Sequence, residues 1–82
     1  MNDGSILAGI AAVAREHLGW EGSALTPEMR LVEDLRLDSI RLLTLAAEVE
    51  NRFQVMLAQE DEAGIETVGD LVSIVRRKLA AG

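Results

Sequence analysis

Ile6, Leu7, Ile10, Val13, Ala14 and Leu18 recur at helical spacing, with Arg15 and Glu16 elsewhere on the wheel. The pattern predicts a helix over residues 5–18, capped by Asp3 or Ser5 and stopped by Gly19. A second set, Leu42, Leu45, Ala46, Val49 and Phe53, gathers on one face when residues advance by about 100° each. It predicts a helix from Asp38 or Ser39 to Phe53. A narrower apolar strip of Ile40, Leu43 and Ala47 lies on the side away from Leu45. Arg41, Glu48 and Arg52 take the opposite flank, with Glu48 and Arg52 in the i, i+4 order that favours an ion pair. Val68, Leu71, Val72, Val75 and Leu79 share a face of the last helix. Thr67-Val68-Gly69-Asp70 introduces it as a capping box with Asp in place of Glu. Arg76, Arg77 and Lys78 fall in its final turns, where cations suit the helix dipole. One short helical turn is expected around Glu60-Asp61-Glu62.

Gly19 to Asp38 shows no helical period, and a loop of roughly 20 residues is long for a small domain. Trp20, Leu25, Leu31, Val32, Leu35 and Leu37 are spread along it, so it is expected to pack against the core. The fold class is all-α: a small bundle of three main helices plus one short helix, with a long loop between helices one and two. Residues 1–82 form a single domain with no internal repeat.

Composition narrows this further. A chain of 82 residues holds one core. With hydrophobic residues at 49% and aromatic ones at 2%, that core is aliphatic. The absence of cysteine excludes disulfides and thiolate zinc sites. Fourteen acidic residues against 8 basic ones give a net charge of -6, which opposes binding to nucleic acid or anionic lipid. No apolar run reaches the roughly 18 residues of a membrane span, and no signal peptide is apparent. A cytoplasmic monomer is expected.

The residues offer little for catalysis. His17, the single histidine, borders the apolar face of helix one, with no oriented partner evident for general-base work. Lys78 is the one lysine, and no calcium-loop pattern is present. Glu60-Asp61-Glu62 reads as a solvated turn. The informative stretch is Asp34-Leu35-Arg36-Leu37-Asp38-Ser39-Ile40. There Asp38 or Ser39 caps helix two, and a hydroxyl at a helix N-terminus is also a favourable place for a phosphate ester. The two roles are compatible.

Leu31-Val32-Glu33-Asp34-Leu35, Asp38-Ser39-Ile40, Glu48-Val49-Glu50-Asn51-Arg52-Phe53 and Ile65-Glu66-Thr67-Val68-Gly69-Asp70-Leu71-Val72, in that order and spacing, resemble an acyl carrier protein. The likeness runs from the first helix to Leu79 and implies a freestanding, non-catalytic carrier. It implies that Ser39 bears a covalent 4'-phosphopantetheine arm and that Asp38 assists its transfer from coenzyme A. The implied partners are a phosphopantetheinyl transferase and acyl- or aminoacyl-loading ligases, synthases or transferases. The cargo is an acyl thioester, or in a related carrier an aminoacyl or peptidyl one; a helical interaction module is the remaining alternative.

Ile40, Leu43 and Ala47, rimmed by Arg41, Glu48 and Glu50, form either a partner-docking face or a seat for the loop or the short helix. Carriers of this kind can shelter cargo between helices, which here implicates Val49, Phe53, Leu57, Ile65 and Leu71, residues that otherwise read as core. Some residues depart from the common pattern. Arg41 replaces an acid, Arg36 and Leu37 replace small residues, and Ala58 replaces a proline. These changes point to a specialised pathway, such as polyketide or other natural-product assembly.

Overall fold

Asn2, not Asp3 or Ser5, opens the first helix: its side chain accepts a hydrogen bond from the Ser5 N–H at 2.8 Å. An N-cap bonds the amide three residues on, so the cap falls before the first periodic residue and the helix begins earlier than expected. The computed structural model describes residues 2–22 and 24–81, so Met1 and Gly82, the ends of the expected domain, lie outside the described residues. Among the described residues four helices follow in order: α1 (Asp3–His17), α2 (Ser39–Phe53), α3 (Gln59–Ala63) and α4 (Val68–Ala81). Among the described residues the strand content is one isolated antiparallel bridge, Arg30 to Thr67. The expected all-α bundle, with its long first loop, is the fold observed.

The apolar face of α1 is the centre of the packing. Ile6, Ile10, Val13 and Ala14 are buried, and α1 packs closely against both α2 and α4. Gly9 makes the α2 contact close, since a Cβ there would lie 2.5 Å from Phe53 Cζ. Gly19, at φ 70, turns the chain after α1 so that the Trp20 N–H reaches the Ala14 carbonyl at 3.0 Å. The far end of α2 closes differently. Gln54 takes the left-handed conformation at φ 56, and the Val55 N–H bonds the Glu50 carbonyl at 3.2 Å. The expected Glu48–Arg52 pair is replaced by pairs across to α1, with His17 Nε2 3.4 Å from Glu48 and Arg52 4.0 Å from Glu16.

The long loop is pinned. Leu31 N–H donates to the Glu66 carbonyl (3.0 Å), Val68 N–H to Met29 (2.9 Å) and Gly69 N–H to Pro27 (2.9 Å). Leu25, Leu31, Leu35 and Leu37 are buried and Trp20 is partly so, as expected of a packed loop. Val32 does not follow them and is 56% exposed. Residues 30–35 coil tightly, with the Asp34 and Leu35 N–H groups both donating to the Arg30 carbonyl. Leu31 therefore turns inward and its neighbour outward.

The capping box at α4 forms as the sequence implies. Asp70 N–H donates to Thr67 Oγ1 (3.1 Å), and Asp70 Oδ2 accepts from the N–H groups of Thr67 (3.0 Å) and Glu66 (2.9 Å). Those backbone donors, Glu66 first and then Thr67, hold the Asp70 carboxyl below the ordinary aspartate range.

Two predictions test this framework. Gly9→Ala should destabilise the domain by about 1–3 kcal/mol in urea unfolding, because the overlap with Phe53 outweighs the gain in helix propensity; Phe53→Leu in the same chain should recover part of the loss. The second concerns acid. A carboxyl whose folded pKa is depressed contributes its stabilisation in full above the unfolded value and loses it as pH falls through the folded one. Asp70→Asn should therefore be less stable than the parent at pH 7, with the gap closing as pH falls below about 4, as read by thermal melts across that range.

Candidate functional site

Asp38 and Ser39 divide the work that the sequence left open between them. Asp38 is the N-cap of α2, in extended backbone, with its Oδ1 accepting from the Arg41 N–H at 2.8 Å and its carbonyl from the Leu42 N–H at 2.9 Å. Ser39, the first helical residue, is exposed, and its hydroxyl makes no capping bond. The N–H groups of the first turn that Asp38 leaves uncapped have no helical acceptor, and the dipole is positive there.

The approach to this pair is anchored by burial and by a backbone hydrogen bond. Leu35 and Leu37 are buried on either side of Arg36, and Leu37 N–H donates to the Leu31 carbonyl at 3.1 Å. Between the two leucines the chain must reverse sharply, and Arg36 does so at φ 58, a left-handed conformation that favours glycine. The small residue expected at this position has a backbone reason to be small.

A cleft of about 340 Å³ opens beside Ser39. Ser39, Leu42, Leu43 and Ala46 of α2 form one wall, and Leu57, Glu62, Ile65 and Leu71 face them. The cleft exists because α2 and α4 both pack on α1 rather than closing on each other. Its α3 side is braced by carboxylates. Glu50 Oε2 accepts from the Leu57 N–H at 2.7 Å, and Asp61 Oδ2 accepts from the Ala58 N–H at 3.0 Å while lying 3.0 Å from Lys78 Nζ. The Ala58 N–H, followed by Lys78, lowers the Asp61 carboxyl from its usual value. Asp61 is thus engaged, and the acidic run is more than a solvated turn.

Of the five residues expected around sheltered cargo, the structure brings Leu57, Ile65 and Leu71 together at the cleft. Val49 and Phe53 do not line it; both are buried in the core, with Phe53 against Gly9 of α1. In the strip of α2, Ile40 is 75% exposed, Leu43 65%, and Ala47 is also exposed. They are not seated under the loop or α3, although Leu43 also borders the cleft. Glu48 and Glu50 flank Ala47 in a shallow depression, but each carboxylate is engaged within the chain, with His17 and Leu57 respectively. Arg41 lies on the other side, near Trp20, Leu35 and Leu37.

Sequence reasoning missed Met56 as part of the exposed apolar surface, at 81% exposure, and Glu62 as a cleft residue. Ser39, Leu42, Leu43 and Ala46 do share one helical arc, which was a readable signal for the cleft wall. His17 has a partner in Glu48 but does not line the cleft. Among the described residues no group of histidine and carboxylate side chains is placed to hold a metal ion, and no helix is long and apolar enough to cross a membrane.

Comparison with known proteins covers most of the chain. A family model described as "Phosphopantetheine attachment site" matches residues 8–75. The meromycolate extension acyl carrier protein of Mycobacterium tuberculosis is 40% identical over 72 residues, 88% of this chain and 63% of that one. The acyl carrier protein of Thermotoga maritima is 36% identical over 74 residues, 90% of this chain and 91% of its own. The solved acyl carrier protein of Enterococcus faecalis superposes with a TM-score of 0.75 at 28% identity, over 95% of this chain and 99% of that one. The chain spans 63% of the mycobacterial relative's length, less than two thirds.

The cap assignment is testable by itself. Asp38→Ala should lower stability by about 1 kcal/mol in urea, whereas Asp38→Asn, which keeps an accepting oxygen, should stay within a few tenths of the parent.

Proposed function

Because this chain belongs to the acyl carrier proteins of the phosphopantetheine-attachment family, we propose that Ser39 is the residue that bears the arm. The observation that carries this reading is the position of the Ser39 hydroxyl: exposed, at the start of α2, and at the edge of an apolar cleft. The surroundings fit the group. The phosphodiester would sit at the positive end of the helix, near first-turn N–H groups, and the cleft offers apolar walls to whatever the arm carries. When bound, the arm supplies a thiol that holds acyl groups as thioesters, which this cysteine-free chain cannot provide.

The protein's own residues position and present. Asp38 fixes the helix start, so that the Ser39 hydroxyl stands clear of the surface. In the proposed loading step Asp38 also assists the transferase as the acidic neighbour of the attacking hydroxyl. Ile40, Leu43, Ala47 and Met56 offer apolar contact to the transferase and to the loading and synthase enzymes, with Arg41, Glu48 and Glu50 around them. Leu57, Ile65 and Leu71 receive the cargo on the other side of α2; Val49 and Phe53 support α2 from beneath.

The pathway proposed is a specialised one, polyketide or related. The charge of the surface around Ser39 supports this, because electrostatic complementarity sets partner choice and Arg36 and Arg41 flank the site. The relatives at 40% identity are named for meromycolate extension rather than for carriers in general.

Intact-mass measurement after incubation with coenzyme A, magnesium and a promiscuous phosphopantetheinyl transferase tests the proposal. The parent should gain one phosphopantetheine, and Ser39→Ala none; several active transferases that all leave the parent unmodified would sink it. Asp38→Asn should load more slowly despite its intact cap. Leu43→Asp should fold normally, given the exposure of Leu43, and fail in loading or acyl transfer; a melted Leu43→Asp variant would return this residue to the core.

A further inference from the structure

Among the described residues, Glu62 is the single charged side chain lining the cleft, whose walls are otherwise leucine, isoleucine and alanine apart from Ser39 at the edge. Its neighbours in the acidic run are accounted for. Asp61 is held by the Ala58 N–H and Lys78, and Glu60 is exposed. The half-buried Glu62 carboxylate has no hydrogen-bond or ion-pair partner among the described residues.

This placement discriminates between occupants. An unsubstituted alkyl chain filling the cleft would strip water from the carboxylate and return no hydrogen bond to it. A chain ending in a carboxylate would bring a like charge into the same low-dielectric space. A chain bearing a hydroxyl would donate to the carboxylate, and hydrogen bonds to an ionised acceptor are roughly twice as strong as neutral ones. We propose that Glu62 is a specificity residue, which makes the cleft take hydroxyl-bearing acyl chains in preference to unsubstituted chains of the same length. The occupant is the cargo itself, tethered at the cleft edge, so the inference rests on Ser39 being the attachment residue.

The test loads the full chain from coenzyme A analogues carrying amide-linked hexanoyl, 3-hydroxyhexanoyl or 5-hydroxyhexanoyl groups. Intact mass confirms each load, and thermal melting reads the result. At least one hydroxyhexanoyl form should melt roughly 4 °C or more above the hexanoyl form. In Glu62→Ala that advantage should vanish or reverse, while Glu62→Gln, which keeps an uncharged acceptor, should retain part of it. Glu62 lies at the surface of α3 and alanine is a good helix former, so these variants should fold. A hexanoyl form that melts as high as both hydroxyl forms, or an advantage that survives in Glu62→Ala, overturns the proposal. A chain that gains no mass overturns the Ser39 reading, and this inference with it; the mass spectrum separates the two failures.

Discussion

Three backbone hydrogen bonds between residues 27–31 and 66–69 are the constraint on which the site depends. Ordering a loop of some 20 residues costs about 1–2 kcal/mol of backbone entropy per residue, far more than the small cost of its length alone. Burial of Leu25, Leu31, Leu35 and Leu37 offsets part of that cost. Burial alone has no direction, and the latch supplies one. With Met29 and Leu31 paired to Val68 and Glu66, the coil of residues 30–37 has a single way to run. Leu37 then enters the core, Asp38 meets the first turn of α2, and Ser39 emerges at the cleft. Gly69 belongs to the same device, because a Cβ there would lie 3.0 Å from the Pro27 carbonyl oxygen.

The acidic balance of the chain takes on a different meaning in this structure. Ten acidic residues lie between Glu33 and Asp70. Five of them, Asp34, Asp38, Glu50, Asp61 and Asp70, accept backbone N–H groups in caps and loops. Their charge is partly spent on local structure before any partner arrives. Glu33 and Glu48 are paired with Arg30 and His17. The carboxylates without such engagements, Glu60, Glu62 and Glu66, lie on α3 and at the entry to α4, while Arg36 and Arg41 are within three residues of Ser39 along the chain. A partner enzyme of the kind proposed would meet exposed Ile40 and Leu43 at the start of α2 and Glu62 across the cleft.

Much of this was legible in the sequence, and the gaps have physical causes. Helical period located α2 almost to the residue and the apolar face of α4, and the Thr67–Asp70 box formed with both of its bonds. Period says which face of a helix is apolar, but not what each length of that face meets. Leu42, Ala46, Val49 and Phe53 share one arc of α2, yet its first half faces the cleft and its second half meets α1. A shared arc therefore does not separate Val49 and Phe53, which are buried in the core, from the cleft wall. The loop has no period at all, so Val32 could not be told from its buried neighbours, and the left-handed turn at Arg36 was hidden behind a residue that rarely adopts it.

The cleft itself follows from the order of packing. An aliphatic domain of this size, with stability of roughly 4–12 kcal/mol, gains most by burying every apolar face it has. Here α1 takes the close contacts of both α2 and α4, and Gly9 draws α2 toward α1 at its far end. The near end of α2 is held instead by Asp38 and the pinned loop, so Leu42 and Ala46 cannot follow Phe53 inward. α3, a single short helix braced by Asp61 to Ala58 and Lys78, covers the gap without filling it. The apolar wall that remains runs directly up to Ser39. The same geometry that leaves the core incomplete puts the unfilled part within reach of the exposed Ser39, where the arm is proposed to attach.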